Sequence, residues 1–213
     1  MIGILGGTFD PVHFGHLRPA LEVHEALQFE ELRLIPSSVP PHRPGPQASP
    51  TQRLAMLRAA VGDTPQFIID ERELERDGPS YTIDTLISLR RELGPASLCL
   101  LVGMDAFLGL PDWHRWRELI DHCHMVVMTR PGVAPPRAGE LAAFVEQHRT
   151  SEASGLAARP AGHVYFQPVT QLEISATQIR GRLAAGGSAR YLMPLAAIDI
   201  IEREGLYRDH EER

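Results

Sequence analysis

The 213-residue chain contains no lysine, so all 21 of its basic residues are arginine. That absence excludes a P-loop lysine, a Schiff-base lysine and a lysyl-nucleotide intermediate, and leaves arginine, histidine or a metal ion to meet any phosphate. Cysteine is nearly absent as well. Cys99 and Cys123 stand in separate apolar segments, which suits buried thiols in a reducing compartment better than a disulfide framework. No apolar run is long enough to cross a bilayer. The chain opens on a short strand-like run instead of a signal peptide, so the expected location is cytoplasmic. No basic run interrupts a net charge of −6, which argues against nucleic acid or an anionic membrane as the main partner. A Gly-x-Gly-x-x-Gly fingerprint and internal repeats are also missing. A hydrophobic content of 43% is nevertheless enough to fill the core of one ordinary domain.

One stretch organises the rest, Gly6-Gly7-Thr8-Phe9-Asp10-Pro11-Val12-His13-Phe14-Gly15-His16. The apolar run Met1 to Leu5 precedes it and a helical pattern from about Gly15 to Gln28 follows, so it reads as a strand-to-helix turn. A helix starting there aims unpaired N–H groups and the positive end of its dipole at the turn, an anion site before any side chain is counted. Gly6 and Gly7 carry no Cβ to keep a bulky ligand from the backbone. His13 and His16, three apart, can lie on one side and offer two directed donors to one phosphate. A zinc site at the two histidines is a weaker reading, because a third ligand and the His-Glu-x-x-His spacing are missing.

Strand and helix patterns then alternate along the chain, which predicts an α/β, Rossmann-like doubly wound fold with a parallel sheet covered on both faces. In the first helix Leu17, Leu21 and Leu27 face one side and Glu22 and Glu25 point outward, and Pro19 fits a first turn beside His16. Glu31 to Ile35 reads as a strand, and the proline-dense loop from Pro36, with His42 and Arg43, is long for a connector. Ser49-Pro50-Thr51-Gln52 is a capping box, and its helix closes at Gly62. Phe67 to Asp70 is the next strand. Ser80-Tyr81-Thr82 opens a helix, capped most simply by Ser80 or Thr82, that stops at Gly94-Pro95.

Ser97 to Gly103 is an unbroken apolar run, as a central parallel strand should be. Asp105, just past Gly103, sits where open α/β sheets bind ligands; it is either an N-cap or an acceptor for a ribose hydroxyl. A strand from His124 to Thr129 follows, closed by Arg130-Pro131-Gly132, with Cys123 expected to point away from His122 and His124. A variable excursion over 132–162 contains one helix, Gly139 to His148. The last strand covers His163 to Val169. Ile174-Ser175-Ala176-Thr177-Gln178-Ile179-Arg180 is then a second helix start, where hydroxyls and a bidentate cation suit a polyphosphate. Pro194 to Glu204 is a final amphipathic helix stopped by Gly205, with Leu206 and Tyr207 packing back. The tail over 209–213 is expected to be mobile.

The stretch Gly-Thr-Phe-Asp-Pro-Val-His-Phe-Gly-His resembles the signature of the nucleotidyltransferase superfamily that carries a His-x-Gly-His motif. Ile174 to Arg180 is similar to its second signature, Ile-Ser-x-Thr-x-Ile-Arg. With Gly103-x-Asp105 and the pattern of Phe107, Trp113, Trp116 and Ile120, the resemblance is strongest to the bacterial nicotinate-nucleotide adenylyltransferase branch. It implies transfer of AMP from ATP to nicotinate mononucleotide, with release of pyrophosphate, by a single nucleotidyltransferase domain over 1–213 whose helical part, about 175–207, packs on the sheet. It implies catalytic roles for His13, His16 and Arg180, with ATP also contacting Gly6, Gly7, Thr8, Phe9, Asp10, Gly103, Asp105, Ile174, Ser175 and Thr177. Nicotinate mononucleotide would meet Thr8, Arg43, Tyr81, Thr82, Trp113 and the backbone near His114, Arg43 standing where relatives often carry lysine. Magnesium is expected to arrive on the ATP phosphates, with no protein metal cage. A homo-oligomer stays open, as do nicotinamide mononucleotide or phosphopantetheine as acceptor, a non-catalytic nucleotide sensor and a zinc-dependent hydrolase.

Overall fold

The computed structural model describes residues 1–38, 45–76, 78–130 and 135–208. Its elements run β1 (Ile2–Gly7), α1 (Phe14–Leu27), β2 (Glu31–Pro36), α2 (Pro50–Val61), β3 (Phe67–Ile69), α3 (Thr82–Leu93), β4 (Leu98–Gly103) and α4 (Met104–Leu108). They continue with α5 (Leu119–His122), β5 (His124–Thr129), α6 (Gly139–His148), α7 (Ser154–Ala157), β6 (Val164–Pro168), α8 (Ala176–Ala184) and α9 (Leu195–Glu204). Short 3₁₀ turns cover Leu110–Asp112 and Trp116–Glu118.

Six parallel strands form one sheet in the order β3-β2-β1-β4-β5-β6, with Leu5 opposite Leu34 and Ile4 opposite Leu100. Side chains alternate across a strand, so each apolar run supplies two cores. Leu5, Leu34, Cys99, Leu101 and Val126 face α1, α2, α8 and α9, while Ile2, Ile4, Leu100, Val102 and Val127 face α3, α5 and α6. This double burial is why the strand sequences are continuously hydrophobic instead of alternating. Chain order reverses between β1 and β4, so the loops leaving their carboxyl ends diverge and open the crevice in which such sheets bind ligands.

The expected elements are present, with local differences. Helix α1 starts at Phe14 with His13 as its N-cap, which puts Pro19 inside the helix beyond the first turn. The buried Pro19 ring is tolerated at the cost of one helical hydrogen bond. Pro36 ends β2 as its last ladder residue, where its missing N–H matters least. Tyr81 is the N-cap of α3 and uses no side-chain cap, so neither Ser80 nor Thr82 caps it. The Ser80 hydroxyl instead accepts the Ser38 N–H at 3.1 Å. Gly103 is the N-cap of α4, and Asp105 lies in its first turn.

His122 ends α5 and Cys123 is its C-cap, so strand alternation governs neither; the buried Cys123 thiol donates to the Leu119 carbonyl at 3.3 Å. Glu22 does not simply face solvent. Its carboxylate takes the Thr170 N–H at 2.6 Å and ties α1 to the segment that precedes α8. The short helix α7 has no counterpart in the sequence reading. Arg43, His42, Gly132 and the tail over 209–213 fall outside the described residues.

Candidate active site

Both histidines of the early turn sit at the start of α1, with their rings stacked, centroids 3.7 Å apart and planes inclined by 28°. Spacing alone brings them together, because positions N-cap and N3 overlie each other across the first helical turn. The His13 backbone N–H donates to His16 Nδ1 at 3.3 Å, which puts the proton of neutral His16 on Nε2. His13 is buried, and its Nδ1 has no partner, so its proton is better placed on Nε2 as well. Burial lowers the His13 pKa to about 4. Burial, then the neighbouring His13, holds His16 well below the ordinary histidine value. Near neutral pH the pair therefore consists of two uncharged, directional donors. Stacked rings also do not converge their nitrogens on one ion, which speaks against zinc between them.

Not every N–H of the α1 start faces open space. The Phe14 N–H is taken by the Leu192 carbonyl at 3.0 Å, from the segment joining α8 to α9. The anion-binding capacity expected from free N–H groups is therefore reduced here, and the side chains carry more of it. Phe9 underlies the turn in a left-handed conformation (φ 49°), with its ring edge-on to His16 at 5.2 Å. Gly6 lies exposed at the end of β1, and a Cβ built on it would meet nothing within 4 Å. Gly15 is the opposite case. A Cβ there would lie 2.8 Å from His13 Nδ1 and 2.9 Å from the Ile174 carbonyl oxygen.

That last distance brings the two turns together, since Ile174 begins the lead-in to α8. Ser175 is the N-cap of α8 and accepts the Gln178 N–H at 3.2 Å. Arg180, one turn on, donates through Nη1 to the Asp10 carbonyl at 2.6 Å and through Nη2 to Thr177 Oγ1 at 3.3 Å. The Asp10 carboxylate is buried and receives the Gln47 N–H at 2.8 Å, the Ala48 N–H at 3.1 Å and the Tyr207 hydroxyl at 2.6 Å. The early turn, the start of α2, α8 and the segment after α9 thus meet at one aspartate.

Arg53 was missed as a site residue, although its spacing with Met56, Leu57 and Val61 places it on the inward stripe of α2. Its side chain is fully buried, and it donates to the Thr8 carbonyl at 2.6 Å and to the Ser38 carbonyl at 3.2 Å. Burial lowers its pKa against the pull of Asp10 and Tyr207, and it stays a cation. Through Ser38 and Ser80, Arg53 links the early turn to Tyr81, whose ring lies 4.4 Å from that of His114. Trp113 is half-buried beside them on the α3 side, and Trp116 is fully inside the core there.

The structure thus gathers His13, His16, Asp10, Thr177 and Arg180 with the Ile174 backbone, and it pairs Tyr81 with His114. Gly103 and Asp105 share the carboxyl edge of the sheet, at the end of the strand beside β1. Among the described residues no three His, Cys, Asp or Glu side chains form a group that could hold a metal ion. Two imidazole donors beside a guanidinium suit a polyanion.

A parallel sheet with two helix starts, one after β1 and one after β6, converging at its carboxyl edge is the architecture of a nucleotidyltransferase. The sequence model of the cytidylyltransferase-like family matches residues 4–182, and the chain belongs to that family. A relative from Halorhodospira halophila, named "Probable nicotinate-nucleotide adenylyltransferase", is 55% identical over 97% of this chain and 94% of its own length. A protein of the same name from Aeromonas salmonicida is 50% identical over 97% of each chain. In fold, the chain is similar to the Plasmodium falciparum nicotinic acid mononucleotide adenylyltransferase solved with NaAD, with a TM-score of 0.70 at 15% identity over 97% of this chain and 96% of that one.

Proposed function

We propose that this chain transfers AMP from ATP to nicotinate mononucleotide, giving nicotinate adenine dinucleotide and pyrophosphate, a step of NAD biosynthesis. The observation that carries the proposal is the meeting of the His13 and His16 turn with the Ile174 to Arg180 turn, across a gap that only a glycine at position 15 leaves open. High identity to relatives named for this activity supports the same reading.

A 5′-phosphate oxygen of nicotinate mononucleotide attacks the α-phosphorus of ATP as the bond to the bridging oxygen breaks, and pyrophosphate carries away the electron pair. No protein nucleophile is needed, so catalysis is positioning plus stabilisation of charge. His13 and His16 donate to the ATP phosphates and to the charge that develops at the α-phosphorus. Their dipoles are already aimed, because stacking and the bond to His16 Nδ1 fix both rings. Arg180, with the Ser175 to Thr177 helix start, holds the β- and γ-phosphates.

Gly6 and Gly7 let the triphosphate approach the β1 end, beside Thr8, Phe9 and Asp10. Gly103 and Asp105 receive the ATP ribose. Tyr81, Thr82 and Trp113 flank the pyridine ring, backbone near His114 bonds its carboxylate, and Thr8 and Arg43 contact the acceptor phosphate. Magnesium enters with ATP as part of the substrate. The reading implies a cytoplasmic location; a homo-oligomer is compatible with it and not required by it.

The test is pyrophosphate release from ATP with nicotinate mononucleotide, nicotinamide mononucleotide and phosphopantetheine as separate acceptors. Release with the first, at a kcat/KM at least tenfold above the others, supports the proposal. Binding of ATP without release from any acceptor refutes it.

A further inference from the structure

Tyr207 lies 197 residues from Asp10 in sequence, and its hydroxyl donates to Asp10 Oδ1 at 2.6 Å in a buried contact. A carboxylate offers about four acceptor sites. Among the described residues three are taken, two on Oδ1 by the Ala48 N–H and Tyr207 and one on Oδ2 by the Gln47 N–H. Arg180 stands next to this group without engaging it as an ion pair usually would. Its Nη1 is 3.8 Å from Asp10 Oδ2, beyond hydrogen-bond reach, and bonds the Asp10 backbone carbonyl instead. Among the described residues its remaining donors carry a 3.3 Å contact to Thr177 Oγ1, on a side chain that is 24% exposed. A guanidinium one bond away from a carboxylate ordinarily closes on it as a two-pronged fork. Here the carboxylate is already turned by other donors, its Oδ1 taken twice and its Oδ2 once, so it does not present both oxygens to the fork. The phenol can do this permanently, since burial, then its bond to Asp10, pushes its pKa far above the usual range and keeps the proton in place.

We propose that Tyr207 is a positioning residue for nucleotide binding: by holding the Asp10 carboxylate toward the α2 start and the C-terminal turn, it keeps Arg180 from collapsing into an internal ion pair and leaves the guanidinium available to the triphosphate. The proposal rests on the reading of Arg180 as the partner of the β- and γ-phosphates. The C-terminal turn is shaped for the task. Gly205 and Tyr207 both adopt left-handed conformations (φ 65° and 60°), which reverse the chain after α9 and drive the phenol inward.

Tyr207→Phe removes one oxygen and keeps the ring. In the full-length chain its KM for ATP should rise about threefold to tenfold, the range that part of one charge-assisted hydrogen bond commands. KM for nicotinate mononucleotide should stay within about twofold, whereas a merely structural loss would lower the active fraction and so kcat, with both KM values unmoved. ATP-induced stabilisation against heat gives the same comparison without turnover, should activity be too low to measure. Arg180→Ala supplies the second arm. In that background Tyr207→Phe should change ATP affinity no further, because the group it frees is gone. An unchanged ATP KM in Tyr207→Phe, or an equal penalty with and without Arg180, overturns the inference. If Arg180→Ala itself leaves ATP affinity unchanged, the reading of Arg180 fails; if only Tyr207→Phe is silent, that reading stands and the inference alone fails.

Discussion

Replacing Gly15 by alanine tests the junction of the two turns with a single methyl group. In most helices the change is favourable, by about 1 kcal/mol. Here the new Cβ would lie 2.8 Å from His13 Nδ1, 2.9 Å from His13 Cε1 and 2.9 Å from the Ile174 carbonyl oxygen, against an ordinary contact of 3.4 Å or more. One of these neighbours is backbone, and the other is a ring held between buried surroundings and His16. Each must give way by roughly 0.5 Å, and overpacking of this kind costs about 1–3 kcal/mol. Net destabilisation should therefore be no more than about 2 kcal/mol, read as a shift in the urea midpoint at constant m.

Activity should suffer far more, because sub-ångström misplacement of groups that orient a reaction can cost about 10²-fold in kcat/KM. Gly6→Ala is the matched control. Its Cβ meets nothing within 4 Å, so the free protein should unfold at the parent's urea concentration while ATP binding weakens by about tenfold, as the methyl occupies ligand space. Gly15→Ala activity within threefold of the parent would refute the claim that the gap positions His13 and the Ile174 turn.

Three other outcomes follow from the same geometry. His16→Ala should lower kcat by about 10²–10³ with the far-ultraviolet circular dichroism unchanged, as loss of one preorganised donor does; a fall below threefold removes His16 from the role. Because the His13 pKa is about 4 in the native state and about 6.5 in the unfolded chain, the unfolded chain binds the extra proton between those values. The stability contributed is thus complete above pH 6.5 and is lost on acidification toward pH 4, by about 1.4 kcal/mol per pH unit for this residue. Urea unfolding at pH 7 and pH 5 should show that loss, with less of it in His13→Gln, and a flat parent profile contradicts the burial argument. Arg53→Lys keeps the charge yet cannot span the Thr8 and Ser38 carbonyls with two nitrogens; a destabilisation of about 1–3 kcal/mol is expected, and a neutral result by chemical denaturation denies that the bridge matters.

Much of the architecture could be read from the residues because its causes are local. Continuous apolar runs such as Leu98 to Gly103 mark strands covered on both faces, and the capping box at Ser49 with Gly62 bounds α2 at both ends. The histidine pair was legible for the same reason, since an N-cap-to-N3 spacing needs no tertiary information. The groups that lock the site were not. The Leu192 carbonyl on the Phe14 N–H and the Tyr207 hydroxyl on Asp10 join positions far apart in sequence, and no periodicity encodes such a meeting. Arg53 is the intermediate case. Its inward spacing was visible, but a charged residue there reads as a helix flank until the carbonyls that receive it are located. Pro19 misled because proline statistics favour a first turn, and a buried packing position overrode them.

The bond from residue 207 back to residue 10 also has a bearing on synthesis. Contacts between distant stretches close late, and a chain emerging from the ribosome assembles what is nearest first. A nascent polypeptide would thus lay down the sheet while its adenylylation centre still lacked this tie, so competence would arrive only once the turn that carries Tyr207 has folded back on Asp10.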